Sequence, residues 1–160
     1  MENIQTIALE VEDKPGVLSR ISTLFSRRGF NVDSLTVGHT HIPGISRFTI
    51  VVQGDEDILE QIRKQSQKLV NVLRTEYLKK DTSVMREFAI VKVEYNRESA
   101  PKINEIVDMY GGRMLDLTEG RLIVEFSGTE RKIDVIFKDL AEVKVLESTR
   151  TGKLGMRMGE

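Results

Sequence analysis

Asp13-Lys14-Pro15-Gly16-Val17-Leu18 is the segment whose residue types and spacing can do chemistry. Ahead of it, Ile7, Leu9 and Val11 alternate with Ala8 and Glu10, the period-2 pattern of a half-buried strand. Behind it, Val17, Leu18, Ile21, Leu24 and Phe25 recur at helical spacing, and Gly29 stands where a C-terminal cap is expected. Pro15 suits a first helical turn, where its missing N–H would be unpaired anyway. Gly16 carries no Cβ, so another group can approach the backbone. A helix start of this kind has free amides and attracts a small carboxylate or phosphate. Asp13 is placed either to cap the helix or to serve that ligand. Asn31 follows the same helix near the start of a second strand, and its side-chain amide both donates and accepts.

The other polar clusters offer less. His39 and His41 stand two apart in a turn-rich link, and in an extended stretch both rings would face one side and could share a metal. A zinc site takes at least three protein ligands and no third cluster is apparent, so two solvated loop residues is the plainer reading. Gly-x-Ser-x-Gly and Walker A sequences are missing. Gly111-Gly112 reads as a helix stop, and Asp55-Glu56-Asp57 as acids that complement a helix dipole. No residue stands out as a nucleophile or general base; a small ferredoxin-like enzyme using His39 or His41 is the reading this disfavours.

The elements that must position these residues come in a repeated order. After the first strand and helix, Phe30 to Val37 and Ile45 to Gln53 read as strands joined through Gly38–Gly44. Asp55 caps a second helix with Ile58, Leu59, Ile62 and Leu69 on one stripe, and Val70 to Tyr77 reads as a fourth strand. The polar stretch from Lys79 to Ser83 breaks the pattern as a linker, and the same order begins again. Phe88 to Tyr95 is a strand, and Pro101 opens a helix with Ile103, Ile106, Val107 and Tyr110. Arg113 to Thr118 and Arg121 to Ser127 form a hairpin around Glu119-Gly120. Thr129 caps a last helix, and Val143 to Thr149 closes the unit. The fold class is therefore α+β: two tandem ferredoxin-like βαββαβ units, each an antiparallel sheet with its helices on one face. The domains run from 1 to 79 and from 84 to 150; residues 151–160 show no clear period and are expected to be a flexible or partner-bound tail. Units of about 75 residues bury only some 60–65% of their unfolded surface, so pairing with another copy is expected.

Composition narrows the function. In 160 residues the net charge is −1 and Cys is absent, which excludes disulfide frameworks and thiolate chemistry and fits a reducing cytosol. No basic balance draws the chain to nucleic acid. An RNA-recognition module shares the βαββαβ order, but the third strand, Ser46-Arg47-Phe48-Thr49-Ile50-Val51, lacks the stacking aromatics. No apolar run reaches bilayer length and the N-terminus, Met1-Glu2-Asn3-Ile4, has no leader character, so the expected location is cytoplasmic. The turn in the second unit, Asn96 to Lys102, has no Gly, so the opening site is not duplicated.

Asp13-Lys14-Pro15-Gly16-Val17-Leu18 in this position resembles the D/N-x-P-G-x-L turn of ACT domains, which sense small molecules. The likeness extends through Leu24–Val32, Ser34-Leu35-Thr36-Val37, Ser46–Ile50, Gln61–Gln65 and Lys68–Val72 to the regulatory (small) subunits of acetohydroxyacid synthase, also called acetolactate synthase. The resemblance implies a first unit that is an ACT domain and a chain with no active site of its own. It implies a catalytic (large) subunit as partner, a transferase that uses thiamine diphosphate, Mg and FAD in branched-chain (valine and isoleucine) amino-acid biosynthesis. It further implies activation of that partner, feedback inhibition by valine or a related amino acid, and a homodimer through the ACT domain with the effector at the interface. The effector-binding residues it points to are Asp13, Lys14, Gly16, Val17 and Leu18 from one chain and Asn31 and Val32 from the other. Asp13 stands where close relatives often carry Asn; a carboxylate there can pair with the effector's ammonium but would repel its carboxylate if placed near it. A stand-alone ACT regulator of another enzyme or of transcription is the alternative.

Overall fold

The computed structural model describes residues 3–159; Met1, Glu2 and Glu160, which the sequence reading places in the first domain and the tail, lie outside the described residues. The chain divides into two units, one of residues 1–85 with 153–160 and one of residues 86–152. In the first, β1 (Ile4–Glu12), α1 (Val17–Arg28), β2 (Val32–His39), β3 (Ile45–Gln53), α2 (Glu56–Ser66) and β4 (Val72–Tyr77) follow the βαββαβ order. Its antiparallel sheet runs β2-β3-β1-β4. Leu9 faces Phe48 and Ile7 faces Ile50 across β1 and β3, and directly opposed residues share a face. That face is therefore apolar, and Val17, Ile21 and Phe25 of α1 with Leu59 and Ile62 of α2 close the core over it. α1 stops at Gly29, whose φ of 67° is a left-handed conformation only glycine takes freely. Phe30 then turns back edge-on to Phe25, with ring centroids 5.8 Å apart.

The second unit repeats the order with β5 (Ser83–Glu94), α3 (Ala100–Tyr110), β6 (Arg113–Thr118), β7 (Arg121–Gly128), α4 (Glu130–Leu140) and β8 (Val145–Arg150). Its strands lie in the order β6-β7-β5-β8, with a core of its own built on Val91, Val124, Phe126, Ile106 and Ile133. The expected caps form: Asp55 accepts from the Ile58 N–H, and Thr129 accepts from the Lys132 N–H.

Several strand ends differ from the sequence reading by one or two residues, and two larger differences have a clear physical cause. β5 starts at Ser83 rather than near Phe88, because Glu87 is buried and neutralised by Arg150, whose Nε donates to it at 2.9 Å. A buried acid looks like surface in a sequence, so the early part of the strand was hidden. The tail is not without structure either: Leu154–Arg157 form a short strand, β9, that pairs β5. Gly155 permits this, since a Cβ there would meet Leu78 Cδ1 at 2.5 Å, and its carbonyl accepts from Arg47 at 3.2 Å. Arg47 in turn pairs with Glu10 and Glu76 across the sheet.

α2 is tied to β4 by a polar cluster with a measurable signature. The Tyr77 hydroxyl lies 3.0 Å from the Leu59 carbonyl and 3.1 Å from Glu60, and Arg63 Nε donates to Glu60 at 2.8 Å. The Arg63 hydrogen bond, more than the Tyr77 one, holds the Glu60 carboxyl at about 2. Burial first, then the Glu60 contact, pushes Tyr77 up to about 12. A depressed carboxyl stabilises the fold above its unfolded value and loses that contribution as pH falls through its folded one. The stability gap between the native chain and Glu60→Gln, read as urea midpoints, is therefore expected to be full near neutrality and to close between pH 4.5 and about 2. A gap independent of pH over that range would contradict the pairing.

Candidate functional site

The segment singled out in the sequence is a type II turn followed by an uncapped helix. Val17 N–H donates to Lys14 O at 3.3 Å, with Pro15 and Gly16 between them, and Gly16 has φ 84° and ψ −3°. Those are the angles of the third residue of a type II turn, which favours Pro before it and needs positive φ. Pro15 therefore lies ahead of the helix, not in its first turn, because α1 begins at Val17. Gly16 is the N-cap residue and has no side chain to cap with, and among the described residues no other side chain caps this helix start. Arg20 N–H already bonds to Gly16 O at 3.0 Å, while Val17 N–H is used in the turn. Helical geometry leaves Leu18 and Ser19 as the amides with no intrahelical acceptor. Ser19 was not foreseen.

The corresponding turn of the second unit is closed by its own side chains. Asn96 Oδ1 accepts from the Glu98 and Ser99 N–H groups, each at 2.9 Å. The Asn96 N–H donates to Ser99 Oγ at 3.0 Å, and that hydroxyl donates to Glu94 O at 2.8 Å. An external anion finds those amides occupied. One turn is open and its counterpart is filled.

The open turn is held from several sides. Asp13 N–H donates to Gly44 O at 2.8 Å, so the β2–β3 hairpin grips it. Lys14 Nζ sits 2.8 Å from Glu12, whose carboxylate also accepts from Asn71 Nδ2 at 2.9 Å. The Lys14 hydrogen bond, then that from Asn71, holds the Glu12 carboxyl below its usual range. Arg20 of α1 donates to Asn71 Oδ1, which pins the first turn of the helix to the start of β4. Asn71 is buried and does its work through distant sequence neighbours, so no local pattern announced it. His39 Nδ1 lies 3.3 Å from Asp13 Oδ2, with Ser46 Oγ 3.4 Å from the same nitrogen. His39 ends β2 whereas His41 lies in the loop, and among the described residues no three His, Cys, Asp or Glu side chains gather as a metal site would require.

Asn31 and Val32 are placed elsewhere. Val32 pairs with Val52, which stands next to Gln5 across β3, while the turn follows Glu12 opposite Ile45. From Gln5 to Glu12 is roughly 23 Å at the usual strand rise of about 3.3 Å per residue. Within one chain, the two halves of the expected site thus lie at opposite ends of the sheet. Asn31 Nδ2 donates to Gln53 Oε1 at 2.7 Å, and Gln53 Nε2 donates to Asp33 at 2.9 Å, which fixes the amide's orientation. β2 is an edge strand with Val32, Leu35 and Val37 exposed, and Leu18 on α1 is exposed as well.

Two tandem ferredoxin-like units, the first with an open Pro-Gly turn, define an ACT-domain protein. Comparison with known proteins agrees in both halves. Residues 7–74 match the model of the AHAS small subunit-like ACT domain, and residues 86–159 match that of the small subunit of acetolactate synthase. The chain is 41% identical over 154 residues to a probable acetolactate synthase small subunit of Methanothermobacter thermautotrophicus, covering 96% of this chain and 92% of that one. It is 40% identical, over 96% and 91% of the two chains, to the acetolactate synthase small subunit of Mycolicibacterium smegmatis. The crystal structure of the small subunit from Thermotoga maritima superposes with a TM-score of 0.93 at 34% identity, over 99% of each chain. The chain belongs to the acetolactate synthase small-subunit family. Among the described residues no helix is long and apolar enough to cross a membrane.

Proposed function

We propose that the chain activates the catalytic subunit of acetolactate synthase and makes it subject to feedback inhibition by valine or a related branched-chain amino acid. The chain itself does no chemistry in this reading; thiamine diphosphate, Mg and FAD belong to the catalytic partner. The observation that carries the proposal is the contrast between the Pro15-Gly16 turn, which no side chain caps, and its counterpart at Asn96, whose Glu98 and Ser99 amides are taken by the Asn96 side chain ahead of the helix. Leaving the first amides of a helix without an acceptor has a use when an anionic ligand supplies one. The helix dipole favours that anion by about 0.3–1 kcal/mol, so further partners are needed.

A second copy supplies them. If two β2 edges pair antiparallel about a two-fold axis, the start of one β2 lies beside the end of the other. Asn31 and Val32 of one copy then approach Asp13, Gly16, Val17 and Leu18 of its mate, which the distance within a single chain forbids. Amides and Asp13 meet the ends of the amino acid, Lys14 adds a positive charge at the rim, and Val32 lies against the aliphatic part. A coupling of about 1–3 kcal/mol between this site and the catalytic partner changes activity five- to 150-fold.

The experiment mixes the chain with its catalytic subunit and titrates valine, leucine and isoleucine separately while following acetolactate formation. Activity should rise on mixing and fall with at least one of the three. No rise, or no response to any of them, would remove this function.

A further inference from the structure

We propose that Asn71 is a positioning residue of the effector site: from the start of β4 it orients the first turn of α1 and holds Lys14 at the rim. This deepens the reading of the turn as an amino-acid site and rests on it. The register of β1 and β4 puts Asn71 there. Ile7 to Glu10 pair in step with Tyr77 to Arg74, and the register then slips, so that Val11 faces Val72 and Leu73 is left over. Continued without the slip, the same register would set Val72 opposite Glu12. The bulge brings Asn71 to that place instead, where its carbonyl accepts from the Glu12 N–H at 2.9 Å. A buried amide thus stands where an apolar side chain would otherwise lie.

Both ends of that amide are used. Oδ1 accepts from the Arg20 guanidinium, and Nδ2 donates at 2.9 Å to Glu12 Oε2, the oxygen that lies 2.8 Å from Lys14 Nζ. Arg20 directly follows Leu18 and Ser19, whose amides the helix start leaves open, so its bond to Asn71 fixes how that turn is rotated. The bond to Glu12 fixes the carboxylate that keeps Lys14 beside the turn. Amides already aimed and a lysine already ordered spare the ligand the cost of ordering them. The task needs a side chain that both donates and accepts. The second unit shows the alternative. β5 and β8 slip in the same way between Lys92 and Val93, and the Glu94 N–H donates to Lys144 O at 3.0 Å. Lys144 therefore occupies the place of Asn71, with Nζ 3.2 Å from Glu94. An ammonium has no acceptor to offer a helix, so its side chain cannot make the same tie. The amide stands in the unit whose turn is open, and the ammonium in the unit whose turn is filled by its own side chains.

Calorimetric titration of valine, leucine and isoleucine in turn into the full-length chain tests this, at a temperature where urea midpoints show each variant fully folded. Arg20 is exposed, so Arg20→Met removes its half of the tie without disturbing the core, and should weaken effector binding about threefold. Asn71→Asp keeps an acceptor for Arg20 but sets a second carboxylate against Glu12, and should weaken binding about tenfold. Adding Glu12→Gln to it reverses the lost hydrogen bond, because the new amide donates to the new carboxylate, and should restore binding to within about threefold of native. A residue that merely stabilised the fold would give no such rescue among fully folded variants. Native affinity in either single variant, or a double variant no tighter than Asn71→Asp, would overturn the role of Asn71 while leaving the effector site standing. If Asn71→Asp does not fold, Arg20→Met alone decides. No binding of any of the three amino acids to the native chain would instead overturn the site itself.

Discussion

Gly16→Asp is expected to weaken the proposed response to branched-chain amino acids about thirtyfold while the chain still folds and still binds its catalytic partner. The backbone part of the argument is permissive. Gly16 has φ 84°, a left-handed conformation that costs a residue with Cβ about 1 kcal/mol, and Asp is among the side chains that tolerate it. A Cβ built there meets nothing within 4 Å, so no neighbour has to shift. The loss comes from charge. The new carboxylate stands over the Leu18 and Ser19 amides, takes the place the effector would occupy and repels the effector's own carboxylate. Removing the dipole contribution and adding a repulsion of about 1 kcal/mol comes to roughly 2 kcal/mol, or about thirtyfold in affinity. Gly16→Ala separates the two effects: it bears the same backbone strain without the charge and should keep measurable binding. Valine binding of native strength in Gly16→Asp would show that the open turn is not the effector site.

The value of Gly16 illustrates what a sequence reveals and what it withholds. The Pro-Gly pair marked the turn at once, because both residues are chosen by local backbone angles. Its type was not evident, since a Pro-Gly pair serves a helix start and a type II turn equally well; the Lys14–Val17 hydrogen bond separates them. The βαββαβ order was legible twice over because β1 alternates with period 2 and α1 with period 3.6, signals that need no tertiary partner. The first residues of β5 were missed because Glu87 is buried only by virtue of Arg150, 63 positions away. β9 was missed for a similar reason: it is four residues long and has meaning only against Arg47 and Leu78. The site divides along the same line. Gly16 and Leu18 could be named from local pattern. Asn71 and Gln53 could not, because they matter through the pairing of β1 with β4 and of β2 with β3. The counterpart turn carried a partial signal, for Asn96 and Ser99 have the spacing at which such side chains hydrogen-bond the backbone of their own turn.

Val37→Lys is expected to weaken the proposed homodimer and its effector affinity together. β2 is an edge of the first sheet, and Leu35 and Val37 lie opposite Ile50 and Phe48, on the apolar side, yet remain 39% and 45% exposed. A long edge strand with uncovered apolar side chains is a template for another strand, and natural monomers blunt such edges with lysine. At position 37 the lysine ammonium can reach water in the free chain, so folding should change little. In a pair of β2 edges it would be brought toward its own symmetry mate, and like charges across a strand pair destabilise it. Because Asn31 and the Pro15-Gly16 turn lie at opposite ends of one sheet, a monomer can offer only half of the proposed effector site. Sedimentation equilibrium should therefore show a weaker dimer, and calorimetry on the same samples should show weaker valine binding at concentrations where the variant dissociates. Linkage gives the converse. An effector that binds only the pair stabilises it by about 2.7 kcal/mol at one hundred times its dissociation constant, so valine should restore much of the lost association. A monomeric Val37→Lys that binds valine as tightly as the native chain would place the whole site within one subunit.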